Sequence, residues 1–154
     1  MTSYEIMQLL HSSLRWVVVV LAVMVLFRYI GGTFSNRPFT PADKRLGLFY
    51  MTFMDIQLLV GLALYLWFSP YTAAAMSDMG TAMKDPVLRF WAVEHLTGMI
   101  IGLVLAHIGY AKVKRGVEDK ARFRAGFIFF GLSILIVMAS IPWPFREALG
   151  KGWL

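Results

Sequence analysis

Four long apolar runs, at residues 9–27, 46–68, 90–111 and 125–141, divide this chain of 154 residues. Each is close to the roughly 20 residues that an α-helix needs to cross the hydrocarbon core of a bilayer. A backbone placed in lipid must satisfy its own N–H and C=O groups, which restricts a spanning chain to helices or a closed barrel. Runs this continuous, in a chain 58% hydrophobic and only 16% charged, predict an all-α fold: a polytopic membrane four-helix bundle in a single domain. The expected helices cover about 3–30, 41–68, 86–111 and 120–141, followed by a tail at 142–154, with no stretch left for a soluble domain. The first run reads as a retained helix rather than a cleaved leader, because Arg15 interrupts it and no basic segment precedes it.

The net charge of +6 is not spread in the manner of a nucleic-acid binder. Arg28, Arg37, Lys44 and Arg45 follow the first run, and Lys112, Lys114, Arg115, Lys120, Arg122 and Arg124 follow the third. Two links carrying ten of the fifteen basic residues belong on one side of an even-numbered bundle, which the positive-inside rule makes cytoplasmic. Both termini then face outward, toward the periplasm of a bacterial inner membrane, as does the loop 69–89, in which the sequence leaves a short interfacial helix undecided.

Local signals mark the helix ends. Thr2 and Glu5 have capping-box spacing, Thr40-Pro41-Ala42-Asp43 restarts the second helix, and Asp85-Pro86 starts the third. Gly31-Gly32 is the expected end of the first helix, and Pro142-Trp143-Pro144 stops the fourth.

With no cysteine there is no thiolate ligand, disulfide or covalently attached c-type haem, so a redox group must be held by histidine or methionine. His95 lies about 8 Å outward of the midpoint of its span by helical rise, and His11 comes out at a similar depth on the first helix. Two imidazoles at one level on different helices can hold one haem iron from opposite faces, as b-type haems are held in helix bundles. Below His95 one face of the third helix reads Gly98, Gly102, Ala106, Gly109. That small-residue strip admits either a porphyrin or a neighbouring helix. Arg15, Arg89 and Arg146 are cations on the same side, suited to propionates, and Glu94 can orient an imidazole or pair with Arg15.

His107 is about 18 Å deeper than His95 and cannot serve the same iron. Asp55 and Gln57 sit inside the second run, and Asp55 is about 6 Å from His107 in depth. The favoured inner site is a buried Asp55–His107 pair or proton relay, with a quinone carbonyl or a second metal centre using Met51 or Met54 as alternatives. No glycine-rich phosphate loop, nucleophile–base pair or HExxH spacing is present, which sets aside hydrolysis and phosphoryl transfer.

The segments His11-Ser-Ser-Leu-Arg-Trp16, Ile56-Gln-Leu-Leu-Val-Gly61 with Leu64-Tyr65, Val93-Glu94-His95 with Gly98-Met99, and Ala139-Ser-Ile-Pro-Trp-Pro-Phe-Arg146 with the closing Gly-Lys-Gly-Trp carry a resemblance. Over nearly its whole length the chain resembles a family of small four-helix membrane proteins of Bacteroidetes-type bacteria, commonly labelled cytochrome b or cytochrome b-like. The resemblance implies a haem b protein that exchanges electrons with a quinone or a neighbouring respiratory complex. His11 and His95 match the family pattern. Asp55 stands where the family often has histidine, and His107 where it often does not. A non-redox subunit of a larger membrane complex is the main rival reading, and a small proton or solute pathway through Asp55, Arg15, Glu94 and His107 is the third.

Overall fold

A computed structural model describes residues 1–146 and Leu149; the closing Gly-Lys-Gly-Trp, with Lys151, lies outside the described residues. Its helices are α1 Ser3–Phe34, α2 Pro41–Phe68, α3 Pro70–Ser77, α4 Met79–Ala82, α5 Pro86–Arg115 and α6 Asp119–Ser140. No strand occurs among the described residues. Four of the helices, α1, α2, α5 and α6, are long and apolar enough to cross a membrane, which marks a multi-pass membrane protein.

The helix starts follow from their caps. At Thr2/Glu5 and at Thr40/Asp43 the hydroxyl accepts from the N3 amide while the N3 carboxylate takes the N-cap N–H. Asp85 accepts from the Val87 and Leu88 amides at 2.8 Å each. The expected end of α1 at Gly31-Gly32 is corrected: the helix continues through both glycines to Phe34. Gly32 serves contact rather than termination, since a Cβ there would fall inside the Phe123 ring of α6.

The four long helices form a square. α1 packs on α2 and α6, and α5 packs on the same two, so α1 and α5 face each other diagonally. The core is tightest toward the end that carries the basic links, where Tyr29, Tyr50, Phe123 and Phe130 are fully buried and meet edge to face. Asp43 fastens this end. Its buried carboxylate binds Arg28 Nε and both Nη atoms of Arg37, and its carbonyl accepts from the Tyr29 hydroxyl at 3.0 Å. These bonds to Asp43 raise the Arg37 guanidinium above its ordinary value. The Arg37 guanidinium also lies 4.2 Å from the centre of the Phe123 ring, and that of Arg122 lies 3.7 Å from Phe39.

The opposite end is built differently. α2 finishes in a π-helical turn, Leu64–Phe68, and α5 contains another, Phe90–Glu94. Such turns widen the helix and release carbonyls from the regular ladder. Tyr65 Oη donates to Ala92 O at 2.8 Å, which joins the two turns, and Thr72 Oγ1 donates back to Tyr65 O at 2.7 Å. The loop in which the sequence leaves a short interfacial helix undecided holds two short helices, α3 and α4, and Ala75 and Ala82 pack there against Ala92.

Candidate functional site

The diagonal placement of α1 and α5 brings His11 and His95 together across the bundle, with ring centroids 6.3 Å apart and planes at 74°. That is the spacing of an edge-to-face ring pair, and it also matches the roughly 6 Å between the centroids of two imidazoles bonded to one metal at about 2.0 Å each. Both rings line a cavity of about 130 Å³ between α1, α2 and α5, at the end that carries the start of α1 and the end of α6. Its other polar lining includes Arg15, Gln57, Tyr65 and Trp91.

His95 is oriented by the end of α6. The last four carbonyls of a helix have no partner in its own ladder. Here Val137 O accepts from Ile141 N, Met138 O from the Trp143 indole at 2.8 Å, and Ala139 O from Arg146 Nη1 at 3.4 Å. Ser140 O is left for His95 Nδ1, at 2.8 Å. Pro142 and Pro144 carry no N–H, which is why side chains complete this cap. A carbonyl only accepts, so Nδ1 carries the proton and Nε2 of the neutral ring is a lone-pair donor.

His11 is held by α2. Gln57 Nε2 donates to His11 O at 2.9 Å and lies 3.2 Å from His11 Nε2, while Gly61, one turn further on, leaves space for the ring: a Cβ there would sit 3.0 Å from His11 Cε1. His11 Nδ1 and Gln57 Oε1 remain buried without a hydrogen-bond partner. Gln57 Nε2 can only donate, so in this contact His11 Nε2 accepts and Nδ1 carries the ring proton. The two histidines form a donor set for a metal or haem site once His11 Nε2 turns from Gln57 toward the cavity. The cavity is smaller than the roughly 300–1,000 Å³ of ordinary small-molecule sites, so a porphyrin requires it to widen.

Of the two occupants expected for the glycine strip, a porphyrin or a neighbouring helix, the structure places a helix there. Gly98 and Gly102 face α6: a Cβ at Gly98 would meet Ser140 Cβ at 2.9 Å, and one at Gly102 would meet Val137 Cγ2 at 2.6 Å. Gly109 likewise accepts Phe129 and Phe130. The strip is the seam along which α5 and α6 approach. Arg15 is buried and lines the cavity, in keeping with an anion-facing position. Arg146 caps α6 and lies 4.9 Å from the centre of the Phe90 ring; it does not line the cavity. Glu94 pairs with Arg89 at 2.7 Å and not with an imidazole or Arg15, so Arg89 is engaged as well.

The inner pair meets directly. His107 Nε2 and Asp55 Oδ1 are 2.9 Å apart. On antiparallel helices the Cα–Cβ bonds lean toward opposite ends, so each side chain tilts toward the other and closes the difference in depth. The pair is not buried as expected: the His107 side chain is 48% exposed and that of Asp55 39%, on the outer surface of the bundle between α2 and α5. No group of three or more histidine, aspartate or glutamate side chains suited to a metal occurs among the described residues, and Met54 packs in the core.

Sequence reasoning did not find the partners of the two imidazoles. Gln57 and Gly61 recur one turn apart, a signal of a shared face, but nothing in the sequence couples that face to His11. Comparison with protein-family models, curated proteins and solved structures finds no match to this chain.

Proposed function

We propose that this protein is a membrane cytochrome of b type, in which His11 and His95 would hold the iron of one haem. The observation that carries the reading is the pair of imidazoles on diagonal helices at two-ligand spacing, one of them fixed by Ser140 O so that Nε2 faces away as a lone pair. The resemblance to small cytochrome b-like membrane proteins supports it. When bound, the haem supplies reversible one-electron exchange. The chain supplies the rest: Ser140 O and Gln57 set the two rings, Arg15 offers a buried cation to a propionate, and the apolar lining excludes water. Arg146 acts at one remove, by holding the end of α6 from which the Ser140 carbonyl projects.

The basic links support an orientation with both termini outward, in a bacterial inner membrane. The site then lies near the periplasmic face, in reach of a quinone or a respiratory partner as electron donor or acceptor.

The test is a reduced-minus-oxidised spectrum of the purified protein, with pyridine haemochrome quantification, after expression with added haem precursor. A b-type spectrum is expected in the wild type and its loss in both His11→Ala and His95→Ala. A colourless wild type rejects the cytochrome and leaves a packing subunit of a larger complex. An unchanged spectrum in both variants rejects this ligand pair.

A further inference from the structure

The half-exposed Asp55–His107 pair lies on the lipid-facing surface of α2 and α5, among exposed Leu59, Ile100 and Val104. Ionisable side chains in membrane spans are costly against lipid and usually face a protein interior or a water-filled cavity. Here the two side chains stay 48% and 39% exposed, and the cavity lined by His11 and His95 includes neither of them.

The atoms left over define what fits. Hydrocarbon favours the states of the pair with no net charge. There are two: carboxylate with imidazolium, or carboxylic acid with neutral imidazole. In both, one hydrogen joins Oδ1 to Nε2, His107 Nδ1 carries a proton, and Asp55 Oδ2 is an acceptor. The surface thus offers one donor and one acceptor side by side, neither used elsewhere among the described residues. Such a surface is complementary to itself under a two-fold rotation.

We propose that the α2–α5 face is a homodimer interface, in which a second copy lies beside the first about a two-fold axis along the membrane normal. Each His107 Nδ1–H then donates to Asp55 Oδ2 of the other copy, closing a ring of four hydrogen-bonded groups. The apolar residues flanking the pair supply packing area, and the pair fixes the register, because a slip of one turn separates donors from acceptors. This assignment is independent of the haem reading.

The experiment is single-molecule photobleaching of fluorescently labelled full-length protein in vesicles, over a range of protein-to-lipid ratios. The wild type is expected to show two-step bleaching that gives way to one step only on strong dilution. The double variant Asp55→Leu/His107→Leu is expected to dissociate at concentrations about tenfold higher or more, the size of an interhelical hydrogen-bond contribution in membranes. The exchanged pair Asp55→His/His107→Asp keeps one donor and one acceptor and is expected to restore association. It also guards against loss of fold in the leucine variant. A monomeric wild type throughout the range overturns the proposal. So does a dimer unaffected by the leucine variant, or a monomer that co-purifies with a small molecule released by either substitution.

Discussion

At the residue scale the site depends on what holds each imidazole. His95 borrows a helix-end carbonyl that had no other partner, so its ring is set by the way α6 terminates. His11 depends on one side chain, Gln57, whose amide touches both its backbone and its ring. Gln57→Leu keeps much of the volume but removes the amide, and with it that contact. The variant is expected to retain a b-type spectrum while binding haem about 10- to 100-fold more weakly, the usual effect of losing a group that orients a ligand, as read by titration of the apo-protein. The two histidines were legible in the sequence because depth along a helix follows from residue count alone. Gln57, Gly61 and Ser140 were not, because their partners are set by how helices rotate about their axes, and the apolar faces here leave that rotation undetermined.

At the scale of elements, helix existence, caps and three of the four long-helix starts were readable from Thr2, Thr40 and Asp85 with their following residues. The glycines of α5 were harder. A strip of small residues announces close approach without saying by what, and the partner proved to be α6. The glycines therefore differ sharply in what they tolerate. Gly102→Ala drives a methyl toward Val137, whose branched side chain has one preferred helical rotamer and cannot swing aside. Overpacking of about 1–3 kcal/mol outweighs the gain in helix propensity, so a lower Tm is expected. Gly31→Ala has open space within 4 Å of the added methyl, so only the propensity term remains, and a gain of up to about 1 kcal/mol is expected. Thermal unfolding in one detergent, followed by helical circular dichroism, separates the two. The π-helical turns were not foreseeable from periodicity, because an inserted residue shifts the apolar face without interrupting it.

At the scale of the whole molecule, the four-run pattern and the sidedness of charge led directly to the bundle, while its square arrangement emerged only from packing. The two ends of that square are held by unlike means. Asp43 anchors one end through two arginines and a capping box on a carboxylate with no exposure, while its main-chain carbonyl takes the Tyr29 hydroxyl. Asp43→Ala removes the acceptor of both guanidiniums and of the Thr40 N–H, while the Tyr29 bond to the main chain remains; with Arg28 45% and Arg37 30% exposed to solvent, a loss of about 1–2 kcal/mol is expected. The loss should appear as protection from hydrogen exchange lost first at the α1–α2 link. The other end has a cavity, two widened helix turns and a cover of two short helices. A bundle bolted at its base and loosely laced at its rim can be inserted and assembled empty. A small molecule arriving later from the side of α3 and α4 then needs only the rim to give way, so folding of the base and filling of the cavity are separable events.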